Sequence, residues 1–96
     1  MAGPSVFALA AVRPNPMREA AEMQFSLARA GRATIDVYDL TGRRVRSVIA
    51  GTFTAGSHLA RWDGRSDRGA LAPSGFYFVR LTSDGGTFSR PLIRLH

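Results

Sequence analysis

Residues 33–49 read Ala-Thr-Ile-Asp-Val-Tyr-Asp-Leu-Thr-Gly-Arg-Arg-Val-Arg-Ser-Val-Ile. Apolar residues alternate with polar ones up to Tyr38, which predicts a strand with one buried face. Asp39 can accept backbone N–H bonds at the start of the turn that follows, and Gly42 supplies the positive φ that closes it. The chain then returns as a second strand over 43–49, so the segment predicts a β-hairpin.

Short apolar runs bounded by Gly, Pro, Asp and Asn continue on both sides of this hairpin. The closest candidate for a helix is 19–28, but Met, Phe and Leu alternate there with Glu, Gln and Ser at period two, which favours a strand. The predicted strands are 7–12, 22–28, 33–38, 43–49, 57–62, 75–81 and 87–95. Seven strands with long connections predict an all-β chain folded as an antiparallel two-sheet sandwich.

The connections between the strands differ in character. Two prolines in 13–16 predict a break or a crossover between sheets, and 51–56 is predicted to be a polar connection. The longest loop is 63–74, and 83–86 closes a second hairpin. Pro91 lacks a backbone N–H, so the last strand is predicted to be a sheet edge or to be bulged there.

One side of each strand is expected to face a common core, with the only Trp of the chain, Trp62, at its centre. The predicted core is Ile35, Val37, Val45, Trp62, Tyr77, Val79 and Leu81. Phe76 and Phe78 alternate with inward residues and are expected to be exposed. They form either an interaction face for a partner or a second apolar layer covered by loops or by a neighbouring domain.

A chain of 96 residues has the size of one domain, predicted to span 1–96, with residues 1–6 flexible or foreign to a longer natural chain. All 13 basic residues are Arg, and the net charge is +6. These Arg residues are scattered and lack interleaved aromatics, so we do not expect nucleic acid as a partner. No apolar run approaches the ~20 residues of a membrane-spanning helix.

The residue types that catalysis needs are sparse. Cys is absent, the two His are His58 and His96, and no Ser lies in a Gly-x-Ser-x-Gly elbow. Asp63 and Asp67 resemble a calcium loop only loosely, and we expect them to cap turns and pair with the neighbouring Arg65 and Arg68. The sequence therefore predicts a protein that is not an enzyme and holds no metal or cofactor.

The motifs of this chain follow one another in a characteristic order. They are Pro14-Asn15-Pro16, Val37-Tyr38-Asp39 with Gly42-Arg43 and Val45, Ala55-Gly56 with His58, Trp62-Asp63-Gly64-Arg65 with Asp67 and Gly69, and Gly75 with Tyr77-Phe78 and Arg80-Leu81. This pattern resembles the FlgD-like immunoglobulin-like domain, and it also marks the C-terminal sorting domains of type IX secretion substrates. The resemblance covers about residues 7–95, with Met17 where the family often has Phe.

The resemblance implies an immunoglobulin-like (fibronectin III-like) antiparallel β-sandwich of seven or eight strands at the end of a larger exported bacterial protein. It implies structural roles for Asp39, Gly42, Trp62, Asp63, Gly64 and Tyr77. In the sorting hypothesis the export machinery recognises the last strand and its adjoining loops, and the protein is secreted or held at the cell surface. The recognition candidates are Gly85, Gly86, Arg90, Leu92, Ile93, Arg94 and Leu95.

Two alternatives remain open. In the first, the chain is a structural or assembly module that packs a β-edge or the Phe76 and Phe78 face against a neighbouring domain or a second copy, building a filament, cap or stalk. In the second, the positive charge and the exposed aromatics bind a polyanion or a carbohydrate.

Overall fold

Strands of alternating pattern pair into two antiparallel sheets in the computed structural model, which describes residues 6–95. The strands are β1 (Ala8–Leu9), β2 (Ala21–Leu27), β3 (Gly31–Asp39), β4 (Arg44–Phe53), β5 (Gly56–Trp62), β6 (Gly75–Ser83) and β7 (Gly86–Arg94). One sheet has the order β1-β2-β5 and the other β4-β3-β6-β7. The predicted all-β sandwich of seven strands is confirmed. Among the described residues, no helix has the length and apolar character of a membrane span.

Period-two alternation places the apolar side chains between the sheets. On β3 and β6 every second residue is buried, and Trp62 is 1% exposed at the centre of the core. Val45 is only partly buried, because it lies on an edge strand where the register with β3 shifts. The core also takes in side chains that the sequence analysis left out: Leu9, Val12, Met17, Met23, Phe25, Leu27, Ala33, Ala60, Ala72 and Leu92.

Two strand boundaries differ from the prediction. β1 is far shorter than 7–12. Its pairing with β2 continues as hydrogen bonds from Ala10 N to Gln24 O and from Arg13 N to Glu22 O, but residues 10–12 lie opposite only two residues of β2, so the regular ladder is interrupted. β4 continues to Phe53 through the segment predicted to be a polar connection. Two register shifts against β3 break its alternation and conceal its length in the sequence. The prediction for residues 1–6 lies outside the described residues, apart from Val6.

The segment between β1 and β2 crosses from one sheet to the other, as its prolines predict. Arg13 pairs with Glu22 of the first sheet, and Met17 forms a parallel bridge with Arg94 of the second. Between these two points, the Asn15 side chain bonds to the β7 backbone as a neighbouring strand would. Its Oδ1 accepts from Ile93 N at 2.9 Å, and its Nδ2 donates to Pro91 O at 3.3 Å. This crossover segment covers the β7 edge, and the predicted edge position of Pro91 is confirmed.

Two of the other three sheet edges are also covered. On β4, Asp67 donates its backbone N–H to Val45 O and accepts from Ser47 N with its carboxylate, both at 2.9 Å. On the two-residue β1, Arg90 Nε donates to Leu9 O at 2.7 Å. Within residues 6–95, no backbone hydrogen bond from a loop reaches the outer edge of β5. One edge of the sandwich is therefore open.

The long loop between β5 and β6 is fastened to the core by three side chains. Trp62 Nε1 donates to Arg65 O at 2.8 Å, Arg94 Nε to Ala72 O at 2.8 Å, and the Tyr77 hydroxyl to Pro73 O at 2.5 Å. The last of these is the tyrosine corner of immunoglobulin-like sandwiches. The Trp62 and Tyr77 rings meet edge to face with centroids 5.6 Å apart, so loop and core form one unit.

Candidate interaction surfaces

Aromatic side chains gather on the outer face of the four-stranded sheet. Phe76 and Phe78 are 59% and 40% exposed, as the alternation of β6 predicts. Phe78 has Tyr38 of β3 on one side and Pro91 of β7 on the other, and Ile93 of β7 lies beside Phe76. We call these five residues the aromatic face. It spans three adjacent strands, and only the pairing of those strands brings its members together.

Charged residues border the aromatic face along one side. The Arg80 guanidinium lies 4.8 Å from the centre of the Tyr38 ring, a cation–π contact. Arg44 lies opposite Tyr38 on β4, and its Nε is 3.5 Å from the Asp67 carboxylate. Asp36 is the register partner of Arg80. Burial raises the pKa of the Asp36 carboxyl, opposed by Arg44 and by a hydrogen bond from Ser47.

The structure corrects two of the recognition candidates on the last strand. Leu92 is fully buried in the core, and Arg94 is 2% exposed. The Arg94 guanidinium binds the carbonyls of Ala72 and Arg18 and lies flat against Gly64. Both side chains point between the sheets, since β7 alternates inward at these positions. They support the fold and are not available to a partner.

The remaining recognition candidates lie at opposite ends of β7. Gly85 and Gly86 form the turn at one end, where the Phe7 ring packs on Gly85 so closely that a Cβ there would be 3.0 Å from it. Ile93 and Leu95 lie at the other end, roughly 26 Å away at the rise of an extended strand. They do not form one site. Ile93 belongs to the aromatic face, and Arg90 is engaged with β1.

The structure places the residues expected to be structural in turns and in the core. Asp39 Oδ1 accepts from Thr41 N at 2.9 Å and from Arg43 N at 3.1 Å, and these bonds with that of the Thr41 hydroxyl lower the pKa of its carboxyl. Gly42 follows with φ of 85°. Gly64 has φ of 78° and is buried beneath Arg94. Each glycine is where a side chain would be strained.

The two carboxylates of the long loop do not converge. Asp63 caps its own turn by accepting from Arg65 N at 3.0 Å, as expected. Asp67 pairs with Arg44 across the loop and not with Arg65 or Arg68. Among the described residues no three His, Asp or Glu side chains lie close enough to hold a metal ion. His58 is occupied structurally: its Nε2 is 2.8 Å from Thr54 O, and its ring stacks on Phe25 at 5.3 Å.

Sequence reasoning found two members of the aromatic face and missed the rest. Tyr38, Pro91 and Ile93 each alternate with a buried residue on their own strand, so their outward direction was readable from the sequence. The 83–86 turn predicts that β7 lies beside β6, but that β3 lies on the other side of β6 was not readable. A local turn pattern identifies hairpin partners and does not identify strands that are neighbours without being consecutive.

The three-and-four arrangement of strands with a tyrosine corner defines an immunoglobulin-like sandwich of the fibronectin III type. The sequence profile of the FlgD Ig-like domain matches residues 15–87, and the chain belongs to that family. The resemblance inferred from the motifs is thereby confirmed.

Curated relatives and solved structures agree with this family. The chain is 39% identical over 59 residues to the basal-body rod modification protein FlgD of Salmonella typhimurium, and 41% identical over 59 residues to that of Escherichia coli. These matches cover 60% of the chain and 25% and 26% of the relatives, so the chain spans about a quarter of their length.

Among solved structures, dimeric latent PorU of Porphyromonas gingivalis superposes with a TM-score of 0.76 at 26% identity, covering 98% of this chain and 10% of that one. PorZ, a surface component of the type IX secretion system of the same organism, gives 0.62 at 20% identity over 88% of this chain and 11% of that one. FlgD of Pseudomonas aeruginosa gives 0.62 at 24% identity over 96% and 74%. The last two likenesses show the fold alone.

Proposed function

We propose that this chain is a non-catalytic docking module of an exported bacterial assembly, and that it binds another component through the aromatic face. The exposure of Phe76 and Phe78 on a regular, rigid sheet carries the proposal. A contiguous apolar patch on a sheet face is costly in water and is typical of a protein interaction site. Location in the bacterial envelope or outside the cell is part of the proposal, supported by curated relatives named for the flagellar basal body.

The charges around the face select the partner. Arg80 and Arg44 flank Tyr38, and two carboxylates lie near them: Asp36 opposite Arg80, and Asp67 beside Arg44. Two copies packed through this face would bring the Arg80 and Arg44 side chains of both close together, which opposes self-association here. The partner is therefore a different protein, with an apolar centre facing Phe76 and Phe78 and carboxylates facing the two Arg side chains.

The test is made in the organism that encodes the chain. Phe76→Ser and Phe78→Ser are introduced together, and the protein that contains the chain is measured in the isolated envelope or secreted assembly. Loss of most of it from the assembly is expected, with the melting temperature of the purified chain preserved. Leu71→Ser serves as the control, because Leu71 is comparably exposed at 48% but lies in the long loop and is not part of the aromatic face. Full retention of the double variant would contradict the proposal.

Reversal of a charge beside the aromatic face gives a second test of the proposal. Once the partner is found by cross-linking from Phe76, Arg80→Glu is expected to weaken binding about tenfold, as truncating or inverting a rim charge slows association. The control is Arg32→Glu, an exposed Arg at the opposite end of β3. Equal losses for the two variants would show that net charge and not the face decides binding.

A second candidate is sorting by type IX secretion, which is favoured by the likeness to PorU over 98% of the chain. The exposed recognition candidates are Leu95, the turn at Gly85 and Gly86, and Arg90, whose Nε is engaged with Leu9 O. A periplasmic reporter fused ahead of residues 1–96, in a host with this secretion system, should reach the cell surface. The fusion is compared with one that carries Leu95→Ser, which alters one of these exposed recognition candidates. Retention of the unaltered fusion in the periplasm would exclude the sorting role.

A further inference from the structure

We infer that the open edge of β5 is a self-association site, at which a second copy of this chain adds its own β5 in antiparallel orientation. This surface lies on the other sheet from the aromatic face and is independent of it. The inference begins from the contrast between the four sheet edges. On three of them, groups from other parts of the chain hydrogen-bond to the edge backbone, and on β5 none does within the described residues.

The geometry of β5 suits the addition of a strand. Its seven residues pair with β2 in unbroken register, from Ala21 opposite Trp62 to Leu27 opposite Gly56. It contains no Pro, and its single charge is Arg61. Natural edge strands usually carry charges, bulges or Pro that prevent pairing. β4 has bulges, two Arg residues and a covering loop, whereas β5 has an unbroken register, a single Arg and no covering loop on its free edge.

The outward side chains of β5 point to the register. They are Ser57, Leu59 and Arg61, and Leu59 is 65% exposed, more than any other large apolar side chain of the described residues. A two-fold axis through Leu59 places it against the Leu59 of the second copy and covers both. The same axis places each Arg61 opposite Ser57, so no like charges meet. A parallel pairing would instead bring the two Arg61 side chains together.

The neighbouring strand supports this register. Glu22 is opposite Arg61 and Gln24 is opposite Leu59 within one copy. Across the joined sheet one row would then read Gln24, Leu59, Leu59, Gln24, and the next would carry Glu22 and Arg61 beside two hydroxyl groups. Such a two-fold pairing is self-complementary, as a closed dimer requires. It would join two three-stranded sheets into one of six strands.

Ionic strength separates this occupant from an acidic strand of another protein. Two copies each carry +6, and their repulsion is screened over about 8 Å at 0.15 M salt. The dimer should therefore strengthen as salt rises, with the dissociation constant in sedimentation equilibrium falling severalfold between 0.05 and 0.5 M NaCl. A complex held by opposite charges would weaken over the same range. A chain that stays monomeric at millimolar concentration and high salt would overturn the inference.

Cysteine cross-linking tests the register, since the chain has no Cys of its own. In Leu59→Cys the two sulfurs meet across the axis, where opposed Cα atoms are about 4.5–5.5 Å apart and within disulfide range. Mild oxidation should give disulfide dimers at least ten times faster than in Gln24→Cys. Gln24 lies on the same sheet face but one strand inward, so its two copies would be about 14 Å apart.

A mixing experiment completes the test. Ser57→Cys and Arg61→Cys should each cross-link slowly alone and rapidly when combined, because the proposed axis opposes position 57 to position 61. All four positions are exposed, and a thermal melt of each reduced variant checks that it is folded. Equal rates for Leu59→Cys and Gln24→Cys would contradict the site. Rapid cross-linking through Phe76→Cys instead would move self-association to the aromatic face and contradict both proposals.

Discussion

The guanidinium of Arg94 lies directly on Gly64: a Cβ built on that glycine would be 2.7 Å from Nη1 and 2.8 Å from Cζ. Hydrogen bonds to the carbonyls of Ala72 and Arg18 hold the Arg94 side chain in place, so it cannot swing aside. The contact joins the last strand to the long loop through Gly64 and Arg94, two residues that are 30 positions apart in sequence.

Gly64→Ala should therefore lower the free energy of unfolding by about 2–5 kcal/mol, since it combines a left-handed backbone with overpacking against a buried group. Gly69→Ala is the matched control, because Gly69 has φ of 86° in the same loop and open space around its Cα. It should cost only the backbone strain of about 1–2 kcal/mol. Urea denaturation measures both, and equal losses would show that the Arg94 contact contributes nothing.

Trp62→Ala should lower the free energy of unfolding by about 3–5 kcal/mol, the usual cost of removing a large aromatic side chain from a core. The change empties the centre of the sandwich and also releases Arg65 O from the indole N–H. Trp62→Phe loses the same hydrogen bond but retains a six-membered ring in the core, so the difference between the two variants measures the cost of emptying that part of the core. Thermal melting by circular dichroism measures both. An unchanged cooperative transition in Trp62→Ala would refute the assignment of the core.

Asp36 and Asp39 should give pH dependences of opposite sign. The pKa of Asp36 is raised above its ordinary 3.8 by burial, so the folded state binds a proton more tightly and loses stability as pH rises through the folded pKa. The pKa of Asp39 is lowered by hydrogen bonds to its carboxylate, so its contribution is present above pH 3.8 and is lost on acidification.

Asp36→Asn should accordingly gain melting temperature relative to the parent above the raised pKa, and the gain should vanish in acid. Asp39→Asn should lose melting temperature above pH 3.8, and the loss should shrink as pH falls. The measurement is the difference in melting temperature between variant and parent from pH 2.5 to 7. Differences that do not vary with pH would show that hydrogen bonding and not ionisation is responsible.

Asn15→Ala should cost about 1–2 kcal/mol, because it leaves Ile93 N and Pro91 O without their side-chain partner. Asn15→Asp keeps the acceptor for Ile93 N and loses the donor to Pro91 O, so comparison of the two variants apportions the pair. Urea denaturation of the parent and both variants provides the values. A loss no larger in either variant than in Gln24→Ala would show that the side chain does not hold the β7 edge.

Much of the fold was predictable because its signals are local. The alternation in 33–38 and the Asp39 turn each depend on a few consecutive residues, and the structure has the hairpin there. The end of β4 was not predictable, because its bulges change which side chains face inward. Arg94 was misjudged for a related reason: a charged residue is expected to point outward, and only the distant carbonyls of Ala72 and Arg18 make its burial possible.

The aromatic face was predictable in part, for the same physical reason. The outward direction of Phe76 and Phe78 follows from β6 alone. Pro91 lies beside Phe78 through the predicted hairpin, whereas Tyr38 lies there only because β3 pairs with β6, which is a property of the whole sheet.

The crossover at Asn15 and Met17 also sets how many copies can join. Of the sheet edges in the described part of the chain, that of β5 alone is left uncovered, so under the proposed pairing each molecule has a valence of one. A species of valence one forms pairs and then stops, and it cannot grow into a fibre by strand addition. The proline-rich segment that joins β1 to β2 thus limits assembly by covering the β7 edge. Loosening it would uncover that edge, raise the valence to two and permit open-ended polymers.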